Sequence, residues 1–349
     1  MVAIVGHTID LGTEKERHQM EIGPGIYQLK MPLSNDFLDH VNCYLVEGKD
    51  GWLMVDTGWC TPGAFDFMEK ELKALGLSLR DISTILVTHV HPDHFGLAGK
   101  IKQASPGTRL LTHCWEAELI ESRYIEYDAL QAEMGHMMQC HGVPSADIVA
   151  LKSASMPFLK LVAVVPPDRT LYGGEIVSTG TYDLEVVWTP GHSPGHICLY
   201  EPQNQFFFSG DHVLPSISPN VSYHVHSGGN PLGDYLYALR KIQNLPVARV
   251  LPAHGRVFTD LRGRVQEIVS HHNRRKNDIR KIIRSEARNA CDISGRLSWN
   301  VPGMDWDQFP PLQKRLAFME TLAHLEDMRW QGEVTRLVGN NGSVSYLAV

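Results

Sequence analysis

The sequence predicts an α/β fold in which two β-sheets pack against each other and helices cover their outer faces. Short apolar runs bounded by turn residues recur in two groups, and several are too continuously apolar for a sheet with one face in water. Helical patterns flank these runs, which favours a layered sandwich. The 349 residues, 43% apolar and 20% charged, suffice for one large and one small domain.

The predicted elements of the sandwich follow in chain order. The first group of strands lies at residues 25–29, 41–46, 52–55 and 84–87. Residues 63–76 have apolar side chains at helical spacing and end on a glycine, which predicts a helix before the last of these strands. The second group lies at residues 109–112, 184–188, 197–200, 206–208 and 249–251.

Residues 114–165 interrupt the strand pattern and are predicted to form a helical insertion. The segment is rich in Met, Glu and aromatic residues at helical spacing. Its methionines, which include Met134, Met137 and Met138, have two interpretations: they pack in a core, or they form an adaptable lid that faces the substrate.

The last part of the chain is predicted to be a separate, winged-helix-like domain over residues 261–349, after a first domain over residues 1–260. A helix begins near Val265 and runs through the basic stretch at 274–281. A later helix has one apolar face, formed by Leu312, Leu316, Met319, Leu322 and Leu325. Two short strands follow, at 334–338 and 343–347, around the turn Gly-Asn-Asn-Gly.

Charge and targeting signals narrow the function classes. The net charge of −7 does not indicate nucleic acid as the partner of the whole molecule, although residues 261–349 are net basic and the remainder is more acidic. No basic leader is present, and no run approaches the ~18 apolar residues of a membrane span. The six cysteines form no C-x-x-C pair, so we expect reduced thiols. These features predict a cytoplasmic protein that does not contact membranes.

The strongest chemical signal is VTHVHPDHFG at residues 87–96. It places His89, His91, Asp93 and His94 directly after a predicted buried strand. With 18 histidines in the chain, a chance match to H-x-H-x-D-H is expected about 0.002 times. Imidazole suits zinc and other borderline metals, and a carboxylate extends the site to harder ones. The stretch therefore predicts metal binding.

Six residues cannot complete two metal shells, so further ligands must come from elsewhere. Three candidates, His192, Asp211 and His254, each stand at the end of an apolar run in a turn that contains glycine. Glycine lets the backbone approach closely and turn a side chain inward.

At this point the sequence closely resembles the metallo-β-lactamase superfamily. The matching elements occur in the family's order over residues 20–260: the turns Asp-Thr-Gly at 56–58, Gly-His-Ser at 191–193, Ser-Gly-Asp at 209–211 and Ala-His-Gly at 253–255, together with the signature at 89–94. The resemblance implies an αββα sandwich that binds two divalent metal ions. Zinc is expected, and iron or manganese would fit the same ligands.

The resemblance also implies a role for each site residue. His89, His91 and His192 would bind one metal. Asp93, His94 and His254 would bind the other. Asp211 would bridge both metals, and we expect Asp93 and Asp211 to take part in catalysis.

Three neighbouring residues match no ligand position. Asp56 matches a position that usually supports the site without binding metal. His196 and His212 either orient the site or are packed or surface histidines without a role in it.

The implied reaction is hydrolysis by a hydroxide that bridges the two metals. The metals lower the pKa of the bound water and polarise a carbonyl or phosphoryl oxygen, and the same charges stabilise the resulting oxyanion. No serine or cysteine nucleophile is required.

Ligand differences within the superfamily favour a dinuclear hydrolase. Flavodiiron proteins carry Glu where His91 stands and append a flavin domain. True β-lactamases usually lack the bridging Asp and are usually exported. Sulfur dioxygenases match this set of motifs only in part.

The predicted winged helix resembles a branch of the superfamily that includes single-stranded-RNA endonucleases and thioesterase-like hydrolases. We favour a thioester such as an acyl-CoA, or a related small ester, because a thiolate leaves without protonation and the Met-rich insertion could hold an acyl chain. Lactone hydrolysis is a weaker alternative.

RNA cleavage also remains open, since a group of basic residues could follow phosphates: Arg274, Arg275, Lys276, Arg280 and Lys281. Against it stand a solvated helix face as the simpler explanation of these residues and the acidic catalytic part. A DNA-binding regulator with a metal sensor is disfavoured by the mixed charge of the last helix. We expect the C-terminal module to cover the mouth of the active site or to form a homodimer contact.

Overall fold

The computed structural model describes residues 19–33, 39–299 and 304–349. Within them the predicted α/β fold is confirmed: two sheets stack face to face and helices pack on both outer faces. The strands of the first sheet, in spatial and chain order, are β1 Gln19–Gly23, β2 Ile26–Pro32, β3 His40–Val46, β4 Trp52–Val55, β5 Ile82–Leu86, β6 Arg109–His113 and β7 Arg169–Leu171. Strands β1 to β4 pair antiparallel, and β4 to β7 pair parallel.

The second sheet and a terminal hairpin hold the remaining strands that the structure describes. The second sheet consists of β8 Ile176–Ser178, β9 Asp183–Trp188, β10 Ile197–Glu201, β11 Phe206–Gly210 and β12 Arg249–Pro252, in the order β12-β11-β10-β9-β8. The antiparallel hairpin consists of β13 Val334–Val338 and β14 Val344–Ala348. Strands β1, β7 and β8 have no predicted counterpart. All three are sheet edges, where partial exposure leaves a weak apolar pattern.

The helices lie between and after these strands. They are α1 Pro62–Ala74, α2 Pro92–Phe95, α3 Ala98–Ala104, α4 Cys114–Ile120, α5 Tyr127–Cys140, α6 Ser145–Ser153, α7 Met156–Leu159, α8 Pro231–Ile242, α9 Leu261–Ile282, α10 Ala290–Arg296 and α11 Pro311–Trp330. Short 3₁₀ turns occupy Leu79–Asp81 and Trp306–Gln308, and a π-helical turn occupies Glu121–Ile125. Helix α1 corresponds to the helix predicted at 63–76. It begins after Thr61, whose hydroxyl accepts a hydrogen bond from the Ala64 amide.

The apolar run of β11 illustrates how the layers form. Phe206 and Phe208 point into the core between the two sheets, where the Phe208 ring meets Tyr44 of β3 edge-on at 5.3 Å. Phe207 points the other way, into the core beneath α8 and α9. Because successive strand residues face opposite sides, a strand covered on both faces must be apolar throughout.

The helical insertion and the C-terminal region share one core. Met134 and Met138 of α5 pack with Phe318 of α11 and with Tyr346 of the terminal hairpin. Helix α9 connects this core to the sandwich, because its first turns pack beneath the second sheet and its last turns join the C-terminal core. The domain boundary at residue 260 stays a prediction.

Two further observations concern membrane spans and the cysteines. In the part of the chain that the structure describes, no helix combines the length and the apolar character needed to cross a bilayer. All six cysteines are free thiols, and Cys43 and Cys198 are buried.

A buried ion pair joins α9 to α11 and leads to a stability prediction. Lys276 pairs with Asp327, which also accepts hydrogen bonds from Asn230 and Gln331. Asp327→Ala would leave a buried ammonium without its partner, so we expect the free energy of unfolding to fall by about 3–5 kcal/mol. Urea denaturation measures it. Asp278→Ala, which breaks the exposed pair with Lys281, should cost less than about 1 kcal/mol, and equal losses in both variants would contradict the prediction.

Candidate metal centre

The structure brings the seven predicted ligands together at one edge of the sandwich. His89 and His91 lie in the loop after β5, and α2 carries Asp93 and His94. The remaining three follow other strands: His192 comes after β9, Asp211 directly after β11 and His254 after β12. The loops therefore meet because the C-terminal ends of these strands share one edge.

Three imidazoles form the first group of ligand atoms. His89 Nε2 lies 2.8 Å from His91 Nδ1, and His192 Nε2 lies 3.2 Å from His89 Nε2 and 3.1 Å from His91 Nδ1. Nitrogen ligands at ~2.0–2.1 Å from a tetrahedral zinc ion would be about 3.3 Å apart. The triangle therefore has nearly the size that one such ion requires.

The second group contains Asp93, His94 and His254. His254 Nε2 lies 3.3 Å from Asp93 Oδ2, and His94 Nε2 lies 3.8 Å from the same oxygen. Asp211 stands between the two groups: its Oδ1 is 3.4 Å from His254 Nε2, and its Oδ2 is 3.6 Å from His94 Nε2 and 3.5 Å from His192 Nε2. This position is the one that a bridging carboxylate needs.

Buried polar atoms without hydrogen-bond partners show that these residues suit divalent cations. Both carboxylate oxygens of Asp211 are fully buried without a donor, and so are the Nε2 atoms of His94 and His254. Burying an ionised carboxylate is costly unless it is paired or coordinates a metal. The residues of these two groups could therefore bind the two cations that the sequence predicts.

Burial lowers the pKa of the first group. The pKa values of His89 and His91 fall well below the usual range, and that of His192 is lowered as well. At His89 neighbouring imidazoles add to the effect of burial. These rings are neutral at pH 7 and present the lone pair that metal binding requires.

In the second group the nearby carboxylates reverse the direction of the histidine pKa shifts. Burial alone would lower the pKa of His94 and His254, but the nearby carboxylates outweigh it and raise both values. Burial alone would raise the pKa of Asp211, but the imidazoles of His254 and His94 hold it well below its usual range. This half of the site therefore stabilises ionised carboxylates beside its imidazoles.

Asp56 supports the site from behind. Its Oδ2 lies 2.7 Å from His94 Nδ1, and its Oδ1 accepts a 2.8 Å hydrogen bond from the amide of Thr88. Its φ of 59° is in the left-handed region, which few residues other than glycine adopt. The contact with Nδ1 turns His94 Nε2 towards Asp211 and explains the supporting position predicted for Asp56.

His196 and His212 behave differently. His196 Nε2 accepts a 3.0 Å hydrogen bond from the Asp211 amide, so it fixes the backbone that carries the bridging carboxylate. Gly210 is required beside it, because a Cβ there would lie 2.6 Å from His196 Nε2. The His212 ring packs edge-on against Tyr235, 4.9 Å away, so this histidine is a core residue.

The buried Glu116, on α4, has a positioning role that the sequence did not predict. Its carboxylate accepts 2.8 Å hydrogen bonds from the amides of Val90 and Gly195 and a further one from the Ser193 hydroxyl. It thereby ties the loop of His89 to the loop of His192. No sequence signal marks this residue, since a glutamate in a helical segment is usually exposed.

Asn220 is a second positioning residue outside the prediction. Its carbonyl oxygen lies 2.8 Å from His192 Nδ1, and its side-chain amide donates a 3.1 Å hydrogen bond to Glu320 of α11. The orientation of His192 is thus connected to the C-terminal region.

A cavity of about 320 Å³ adjoins the cluster and exposes His91, Asp93 and His192 on one wall. The other walls come mainly from the insertion, from residues 220–226 and from α11. Met134 lines the cavity and belongs to the shared core as well, and Met138 is buried in that core. Core packing therefore accounts for both methionines, and a substrate-facing lid stays a prediction.

Comparisons with known proteins match this fold. The model of the metallo-beta-lactamase superfamily matches residues 37–254. The "Probable metallo-hydrolase YqjP" of Bacillus subtilis (strain 168) is 24% identical over 302 residues, which are 84% of this chain and 88% of that protein. The crystal structure of a metallo-beta-lactamase family protein from Thermus thermophilus has a TM-score of 0.78 at 29% identity, and covers 94% of this chain and 100% of that one. An "Atrochrysone carboxyl ACP thioesterase" of Aspergillus fumigatus is 29% identical over 133 residues, 37% of this chain and 40% of that protein.

Replacing Asp211 tests the proposed bridging position. Asp211→Ala removes the carboxylate between the two groups, so we expect the purified protein to lose most of its metal, as measured by elemental analysis. Asp66→Ala, at an exposed position of α1, is the matched control and should keep the metal content of the unmodified protein. Full metal content in Asp211→Ala would refute the position.

Replacing Glu116 tests the link between the two loops. Glu116→Gln weakens the acceptor shared by the amides of Val90 and Gly195, and we expect the metal affinity to fall by about 10- to 100-fold. Competition with a chromophoric chelator measures the affinity. The control is Glu118→Gln on the exposed side of the same helix, and an equal affinity in both variants would contradict the positioning role.

Proposed function

Since the chain belongs to the metallo-beta-lactamase superfamily, we propose that it is a dinuclear metal-dependent hydrolase of a thioester such as an acyl-CoA, or of a related small ester. In this proposal His89, His91 and His192 hold one cation, and Asp93, His94 and His254 hold the other. Asp211 reaches both. Zinc suits this set of imidazole and carboxylate ligands best, although iron or manganese would also fit.

The observation that carries the substrate class is the cavity beside the cluster. Its volume of about 320 Å³ suits a small molecule, and most of its wall is apolar, with Trp59, Phe158 and Leu316 among its members. An acyl chain in this space would place its carbonyl carbon next to His91 and Asp93.

The chemistry divides between the cations and the side chains. Divalent cations would make a water molecule nucleophilic near neutral pH and polarise the acyl carbonyl. The buried oxygens of Asp211 would orient the attacking water by accepting its hydrogen bond. Asp93 lines the cavity and can accept the proton that the water releases. The apolar walls exclude bulk water, and a thiolate can depart without a proton donor.

Similarity to a protein named as a thioesterase gives weaker support. The fungal relative carries that activity in its name, and it is similar to 37% of this chain. The name of that relative does not define the substrate of this protein.

The basic stretch of α9 offers less support for RNA as the substrate. Lys276 and Arg280 form ion pairs with Asp327 and Glu333. Lys281 pairs with Asp278 on its own helix, and the Arg275 guanidinium stacks 4.2 Å from the centre of the Trp299 ring. These contacts occupy charges that would otherwise follow a phosphate backbone.

The last helix is equally unsuited to DNA recognition. Residues 317–328 of α11 are buried, so this helix has no free face for a DNA groove. We propose instead that the winged-helix-like region serves as a wall of the substrate cavity, since Leu312, Leu316 and Met319 line it.

A parallel turnover screen tests the proposal. We expect the metal-loaded protein to hydrolyse acyl-thioesters faster than lactones or single-stranded RNA, with Asp211→Ala inactive and Asp66→Ala active. Thioester turnover should depend weakly on salt, whereas RNA binding would weaken steeply as salt rises. Cleavage of RNA without thioester turnover would overturn the proposed function.

A further inference from the structure

The polar side chains in the cavity wall include two arginines and one buried amide. Arg123 lies in the π-helical turn, Gln131 on α5 and Arg315 on α11. They come from the insertion and the C-terminal region, which meet only in the folded chain.

Arg315 is half-buried, and the ion pairs that the structure describes give its charge no carboxylate partner. One guanidinium nitrogen donates a 2.8 Å hydrogen bond to the Ser155 hydroxyl, and another meets the sulfur of Met134 at 3.7 Å. Burial lowers the pKa of Arg315 to about 10, and the charge of Arg123 acts in the same direction. The group is still protonated at neutral pH, so the cavity wall holds a half-buried positive charge.

Gln131 and Arg123, in the same cavity wall, lack partners of their own kind. Both polar atoms of the Gln131 amide are buried without a hydrogen-bond partner. Arg123 forms no ion pair within the described ranges, and its charge lowers the pKa of both His91 and Arg315. The carboxylate on the cavity wall, that of Asp93, faces His94 and His254.

Two like charges and an unpaired buried amide in one half-enclosed cavity are unfavourable unless an anion joins them. Guanidinium groups match carboxylates in shape and can donate two parallel hydrogen bonds to one of them. Building on the proposed function, we propose that the cavity selects acyl groups that carry their own carboxylate, which Arg315 and Arg123 bind while Gln131 donates a hydrogen bond.

The location of these groups indicates that the anion belongs to the acyl part of the substrate and not to the thiol part. They share the cavity with the apolar side chains that would surround an acyl chain, so the anion must be carried inside with it. A phosphate on the thiol part, as in coenzyme A, offers related chemistry and must be separated by the experiment.

Four substrates distinguish a carboxylate on the acyl group from a phosphate on the thiol. They are the hexanoyl and adipoyl thioesters of coenzyme A and of N-acetylcysteamine, which has no phosphate. We expect the adipoyl form to exceed the hexanoyl form in kcat/KM by about tenfold to a hundredfold with both thiols. Arg315→Met and Arg123→Gln should each lose most of this preference. Arg262→Gln, at an exposed position of α9 outside the cavity wall, should keep it.

A binding measurement keeps this inference separate from the proposed reaction. Calorimetry on the purified full-length protein compares adipic acid monoamide with hexanamide, which lacks the carboxylate. Binding of the monoamide that requires Arg315 and Arg123 supports the inference even if no thioester is hydrolysed. Hydrolysis without an adipoyl preference, or a preference that follows coenzyme A alone, would overturn it. A preference retained by both arginine variants would overturn it as well.

Discussion

The buried carboxylate of Asp211 is the constraint on which the surrounding structure depends. Neither of its oxygens has a hydrogen-bond donor, and imidazole nitrogens surround them at 3.4–3.6 Å. An isolated charge in such a place would destabilise the fold, because its lost hydration is not replaced. Much of the nearby architecture therefore serves to hold imidazoles around one carboxylate.

The positioning contacts act mainly through the backbone. His196 holds the amide of Asp211, and Glu116 holds the amides of Val90 and Gly195. Backbone contacts fix where a loop runs without using the side chains that face the cluster. The loops can thus converge from distant parts of the sequence and leave their imidazoles and carboxylates facing inward.

Local patterns were enough to predict the sandwich and the cluster. The apolar runs predicted the central strands, and the dense motif at 89–94 pointed to the loop after β5. Glu116, Asn220 and Arg315 could not be found in this way. Their roles depend on contacts between residues far apart in the chain, such as Glu116 with Gly195 or Arg315 with Ser155. Nothing in the neighbouring sequence distinguishes such residues from exposed polar ones.

Helix α11 connects the shape of the cavity with the orientation of a predicted metal ligand. Its first turns, with Leu312 and Leu316, shape the cavity, and one turn further Glu320 holds Asn220, which contacts His192. Thermodynamic linkage is reciprocal. If a molecule bound in the cavity stabilises α11 and thereby raises the affinity for the cation, the cation raises the affinity for that molecule by the same free energy. If the proposed function is right, changes in this helix that alter the range of acyl groups accepted would also alter the affinity for the cation.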